Sequence, residues 1–268
     1  MPIEIAREVR RISEQEFHQI DYDVTGFAYE IHNELGRLWS EKIYQAELAN
    51  RCQESGLRNV EIEVPLRVSH KHFCKKYSID LLIEDSIVYE LKTVSNLTPA
   101  HDKQALNYLL LAGLPHGKLI NFRPESVQKR FVSTTLHPED RYNFIIEDKY
   151  WRNLDEDSSW LKMMMLELLK DWGAYLETNL FYEAIYRFRG GEDQVVMKID
   201  VVHNRSKLGE QEVHLLRPTV AFKLTAITKG IERFEQHLCR FIRVTNLDAI
   251  QWVNFNHKII AFKTILKQ

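Results

Sequence analysis

The chain has 268 residues, enough for one large domain or two of ordinary size, and its 44% hydrophobic and 28% charged residues exclude a disordered or fibrous chain. A net charge of −2 excludes a strongly basic nucleic-acid binder, though not local patches such as His70-Lys71-His72 with Lys75-Lys76, Lys129-Arg130, and Arg187 with Arg189. Cys52, Cys74 and Cys239 are too scattered for a zinc site or a disulfide framework, which suits a reducing compartment.

The opening stretch MPIEIAREVRRISEQEF is charged and reads as a helix or loosely held arm. It lacks the apolar core of a signal peptide, and no later run approaches the ~20 apolar residues of a membrane span, so the expectation is a cytoplasmic chain without membrane attachment. Val24, Phe27, Ala28, Ile31 and Leu35 then share one helical face, closed by Gly36. A second helix from Ser40 to Ser55 is expected to bury Ile43, Ala46, Leu48 and Cys52 and to stop before Gly56. Strands are expected over Glu61–Ser69, Tyr77–Ile83 and Ser86–Thr93, a helix over Pro99–Ala112 and a strand over Lys118–Phe122. This alternation predicts an α/β layer architecture.

The charged, aromatic segment from Asp140 to Ser159 has no clear period and reads as a connector. Beyond it the plan repeats. An amphipathic helix through Leu161, Met164, Met165, Leu168 and Leu169 ends near Gly173, as the earlier one ends at Gly36. TVAFKLT (219–225) lines up with IVYELKT (87–93), and WVNF (252–255) echoes LINF (119–122) with one residue of slippage. Two domains are therefore expected, 1–140 and 141–268. In this alignment Phe222 and Leu224 replace Glu90 and Lys92, so the fold itself does not demand charge there.

Glu90 and Lys92 are two apart on a strand and share a face, and a hairpin with its turn at Glu84-Asp85-Ser86 brings Asp80 beside Glu90. Two carboxylates in contact repel unless a cation sits between them. Oxygen ligands in small number suit Mg2+, and a lysine beside a hard cation makes a phosphodiester hydrolysis site. Glu41 on the second helix is the candidate third carboxylate, ahead of Glu47 and Glu34, and Gln104 on the following helix either reaches the site or caps a buried polar contact. A non-catalytic nucleic-acid binder and a protein-interaction scaffold remain as rival readings. No phosphate loop, nucleophile elbow or metal-spaced His pair points to another enzyme class.

From Val24 to Leu136 the chain resembles the PD-(D/E)XK nuclease superfamily, and within it the branch of GxxExxY proteins. The motifs are EIHNELG (30–36), Glu41 with Tyr44, YSIDLLIED (77–85), YELKTV (89–94), LTPAHDKQALNYL (97–109) and LINF. The resemblance implies a restriction-endonuclease-like α/β fold, a mixed β-sheet flanked by helices. It implies Glu41, Asp80 and Glu90 as ligands of Mg2+ or Mn2+, Lys92 as the catalytic lysine, and Gln104 as a further site residue. Tyr108, His32 and His101 would be accessory. The implied partner is DNA or RNA, and the implied activity is metal-dependent nuclease. The glycine that opens the GxxExxY motif is Leu38 here, with Gly36 two residues earlier. The second copy would be degenerate, with Glu177 and Glu212 near the places of Glu41 and Asp80. It would serve as an in-chain partner of the first, a pseudo-dimer within one chain or part of a homo-oligomer, and would grip substrate through Arg187, Arg189 and Arg205.

Overall fold

A computed structural model describes residues 2–267. The chain divides into two compact units, Met1–Pro138 and Glu139–Gln268. Each holds one mixed six-stranded sheet flanked by helices, a restriction-endonuclease-like layering that occurs twice. Among the described residues no helix is long and apolar enough to cross a membrane.

The first unit runs β1 (Ile3–Ile5), α1 (Glu14–Leu35), α2 (Glu41–Glu54), β2 (Glu61–His70), β3 (Phe73–Ile83), β4 (Ile87–Lys92), α3 (Pro99–Ala112), β5 (His116–Asn121) and β6 (Gln128–Ser133). The strands lie in the order β1-β2-β3-β4-β5-β6, antiparallel except for the parallel pair β4·β5 that α3 connects. That pair approaches closely: a Cβ on Gly117 would sit 2.7 Å from the Val88 carbonyl oxygen, so only glycine fits there.

The opening arm expected from sequence is instead β1 and the first turns of α1. Ser13 caps α1 by accepting from the Glu16 amide, and the helix runs 22 residues to Gly36, whose φ of 72° stops it. The buried face of α2 is also rotated from expectation. Ile43 is 42% exposed and Ala46 faces solvent, while Tyr44, Leu48 and Cys52 are fully buried. Tyr44 decides this. Its ring stacks on Phe122 at 4.3 Å, and its hydroxyl donates to the Gly36 carbonyl at 2.7 Å, pinning the turn between α1 and α2. Together α1 and α2 cover Tyr89, Leu91, Ile120 and Phe122. Alternation turns Val88, Glu90 and Lys92 to the other face.

The second unit runs β7 (Ile145–Tyr150), α4 (Glu156–Trp172), α5 (Thr178–Phe188), β8 (Val196–His203), β9 (Ser206–Arg217), β10 (Val220–Thr225), α6 (Ile231–Arg243), β11 (Ala249–Asn256) and β12 (Ile259–Leu266). The segment read as a connector therefore contains strand β7. The strands β8 to β12 repeat β2 to β6 in order and direction, including the parallel pair β10·β11 bridged by α6. Each unit then adds one strand of its own, β1 beside β2 and β7 beside β12.

A shared asparagine sets the register between the two plans. Asn121 accepts from the Val94 amide and donates to the Val94 carbonyl at 3.0 and 2.8 Å, and Asn254 does the same to Ile227 at 2.9 and 2.9 Å. Asn121 pairs with Lys92, and Asn254 pairs with Thr225. Lys223 and Thr225, not Phe222 and Leu224, thus take the places of Glu90 and Lys92. The sequence alignment is one residue out. The same register sets Val213 against Asp80, and the packing of Phe181 on Phe255, like Tyr44 on Phe122, sets Thr178 against Glu41. Glu177 and Glu212 fall one residue away from those places.

His214 sits among Tyr182, Tyr186 and Phe222, with the Tyr186 hydroxyl 2.9 Å from Nδ1. Burial, aided by the Lys223 charge, pushes the imidazole down to about 4. The unfolded chain binds that proton near pH 6.5, so stability is constant above this value and falls as pH drops towards 4. Screening of a partly exposed ring limits the loss to about 1–2 kcal/mol. Urea unfolding followed by tryptophan fluorescence at pH 5 and pH 7 should show it, because Trp151, Trp160, Trp172 and Trp252 all lie in this unit. A His214→Gln variant should lose the difference.

Candidate active site

The hairpin β3–β4 turns through Glu84, Asp85 and Ser86, between the paired Ile83 and Ile87, and Glu84 and Asp85 take the left-handed conformation at φ 56° and 52° that a primed turn uses. Its register pairs Leu81 with Tyr89 and brings Asp80 level with the end of β4. Asp80 Oδ2 accepts from the Leu91 amide at 2.8 Å. Lys92 Nζ donates to Glu90 Oε2 at 3.2 Å and lies 3.8 Å from Asp80 Oδ2. The three charged groups therefore converge. They are not an exposed ion pair: Glu90 is 1% exposed, and its Oε1 has no hydrogen-bond partner.

The electrostatics follow from that burial. Desolvation, then the Asp80 charge, pushes the Glu90 carboxyl up to about 8. Asp80 is raised by burial, and Lys92 and the Leu91 amide offset this only in part. Burial works against the Lys92 ammonium, but Glu90, Asp80 and Glu41 together outweigh it and hold its pKa above the ordinary lysine value. An uncompensated excess of negative charge around a buried, unpartnered carboxylate oxygen is the condition a cation relieves.

Glu41 opens α2, and burial raises its carboxyl, with Lys92, Asp80 and Glu63 the charges it feels. Leu38, in the place of the motif glycine, is 81% exposed. From the other side α3 brings Tyr108, whose hydroxyl accepts from Gln104 Nε2 at 3.3 Å and whose pKa is raised by burial and by Glu90. Gln104 thus reaches the cluster through Tyr108. His32 and His101 do not join it. His32 Nε2 meets the Pro124 carbonyl at 2.9 Å, and His101 Nδ1 accepts from the Thr98 amide at 3.0 Å, closing the first turn of α3.

Two residues at the site escaped sequence reasoning. Gln45, one turn beyond Glu41, is 4% exposed and donates to the Asp80 main-chain carbonyl and to Glu63 Oε1. Glu63 lies opposite Asp80, where the β2·β3 ladder skips a pair, and has φ of 53°, a conformation unfavourable for any residue but glycine. Ser78 Oγ donates to its carboxylate at 2.6 Å. A positive φ cannot be read from a glutamate in a sequence, and a buried glutamine carries no charge to betray it.

Among the described residues no group of three or more His, Cys, Asp or Glu side chains is set to hold a metal ion by itself. Two converging carboxylates, one with a free buried oxygen, and a third nearby suit a hard cation that keeps most of its water, not a four-ligand zinc site.

Residues 18–132 match the family model of the PD-(D/E)XK nuclease superfamily. The matched stretch contains every residue of the cluster just described. No curated protein matches the chain. One solved structure, titled "Crystal structure of SSO0001", is 20% identical over 48% of this chain and 81% of its own, with a TM-score of 0.27.

The second unit supplies a contrast. There the amide equivalent to Leu91, that of Leu224, donates to the neutral Tyr182 hydroxyl at 2.7 Å. A hydroxyl is thus enough to satisfy this strand end, so backbone capping alone does not account for the carboxylate of Asp80.

Proposed function

We propose that the chain is a divalent-metal-dependent nuclease whose single reaction centre is Asp80, Glu90 and Lys92. The observation that carries this reading is the unpartnered, buried Glu90 Oε1 facing an acid cluster with one ammonium inside it. Asp80 and Glu90, with Glu41 as a third carboxylate, would hold Mg2+ or Mn2+. The chemistry such an ion supplies is neutralisation of charge on a phosphodiester oxygen and a lowered pKa for water. Lys92, protonated at neutral pH, stabilises the negative charge that develops on the phosphate. Burial raises the Glu41 carboxyl as it does those of Asp80 and Glu90, and a bound cation would offset that cost at all three. The hydrogen bond from Gln104 holds the Tyr108 hydroxyl towards the same space.

The second unit is read as a degenerate copy of the first. Thr178, Val213, Lys223 and Thr225 stand at the four key places and include no carboxylate. Three free cysteines support a reducing, cytoplasmic setting.

Cleavage of single- and double-stranded DNA and RNA should require Mg2+ or Mn2+ and fall by about 10³-fold or more in Glu90→Ala and Lys92→Ala. Cleavage that persists in well-folded variants, or that needs no metal, would sink the proposal.

A further inference from the structure

The strand that the second unit adds to the common plan, β7, is exposed along nearly its whole length and ends in Lys149-Tyr150, with Arg152 two residues on. Such a strand contributes little to the core. Its pairing with β12 brings Tyr150 level with Lys263. Tyr150 is 60% exposed, and two ammonium groups lie close to its ring, Lys263 Nζ at 4.9 Å and Lys149 Nζ at 5.5 Å from the ring centre. These groups, with Arg152 and Lys267, line a cleft of about 430 Å³ that reaches Cys239 on α6. Glu235 is the one acid in the lining, and it is paired with Lys263 at 2.6 Å. Among the described residues no carboxylate pairs with Lys149, Arg152 or Lys267. Lys267 is held at the rim by the Thr245 carbonyl at 2.7 Å.

We propose that this cleft binds single-stranded nucleic acid, one base stacking on Tyr150 and the flanking phosphates meeting Lys149, Arg152, Lys263 and Lys267. The inference rests on nucleic acid being the substrate, and it gives the second unit a task that needs no metal. An exposed ring flanked by cations offers a surface to any base that is not already stacked, and a duplex presents none. Of the residues named from sequence for this grip, Arg189 is less suitable. Arg189 donates to Asp157 and to the Leu216 carbonyl, both at 2.6 Å, and packs over Trp160, so it holds the fold together.

The test is fluorescence anisotropy of a labelled oligothymidylate with the full chain in EDTA, so that no hydrolysis intervenes. Tyr150→Ala should weaken binding about tenfold and Tyr150→Phe should leave it nearly unchanged, as expected for stacking. Lys149→Gln with Arg152→Gln should weaken it further and lower the slope of log affinity against log salt by roughly 1.4, about 0.7 for each phosphate no longer neutralised. Lys207→Gln, on the β8–β9 hairpin, should change nothing. Unaltered binding in the Tyr150 and Lys149/Arg152 variants, at unchanged melting temperatures, overturns the inference, as does a duplex that competes equally well or an absence of salt-dependent binding. Failure of the nuclease reading is separate: it shows as absent cleavage while binding still depends on Tyr150.

Discussion

In the absence of metal, Glu90→Gln should make the protein more stable, and the gain should grow with pH. The folded-state pKa of Glu90 is about 8, above the ~4.5 of an exposed glutamate, so the folded chain holds this proton more tightly than the unfolded chain. The wild type is therefore not penalised below about pH 4.5, loses stability as pH rises towards 8, and is level above that. Glutamine keeps the shape and the hydrogen-bonding capacity and has no proton to lose. At pH 8 the variant should lead by about 2–4 kcal/mol, read as slower hydrogen exchange of the β4 and β5 amides in EDTA. Adding Mg2+ should close the gap from the wild-type side alone. A variant less stable than wild type across the pH range would mean that Glu90 is a structural partner of Lys92. A site that destabilises its own fold is what function, not packing, selects.

Asp21→Ala should be among the most damaging substitutions in the first unit, although Asp21 lies on the opposite face of β4 from the cluster. Its carboxylate receives the Lys118 ammonium, with Thr25 Oγ1 2.7 Å from the same nitrogen and the Tyr89 hydroxyl 3.3 Å from Asp21 Oδ1. Asp21, Thr25 and Lys118 are each 7% exposed. Removing the acid strands a buried ammonium, at a cost of about 3–5 kcal/mol. Asp21→Leu combined with Lys118→Met removes both charges and should restore most of that loss. The double variant should also cleave nucleic acid like wild type, because the pair supports the sheet and touches no reacting group. If it is inactive though stable, the two faces of β4 are coupled.

How much of this was legible in the sequence depended on the range of each interaction. The β3–β4 hairpin, the Gly36 and Gly173 helix ends and the alternation that places Glu90 with Lys92 are local, and they stand where the pattern put them. The Asp21–Lys118 pair was invisible because its partners are 97 residues apart. An aspartate on the buried face of α1 also broke the apolar period that would have revealed the helix's first half. The rotation of α2 followed from Tyr44 seeking Phe122 and Gly36, again a tertiary choice. Strand β7 was missed because an edge strand wetted on both faces has no alternation to detect. The one-residue error between the copies came from matching TVAFKLT to IVYELKT by residue type; the WVNF and LINF echo, which needed one residue of slippage against that match, carried the register the sheets adopt. With Lys223 at the place of Glu90, the second copy no longer shows that the fold dispenses with charge there; what it lacks is the carboxylate pair.

The central claim is that Asp80 and Glu90 together hold one divalent ion. Titration of Mn2+ into the full chain, followed by the loss of the free-ion paramagnetic resonance signal, tests it without reference to any substrate. The expected result is one ion bound per chain, displaced by Mg2+ and lost in both Asp80→Asn and Glu90→Gln. Absence of binding by the wild type, or equal binding by variants that remain folded, would contradict the claim.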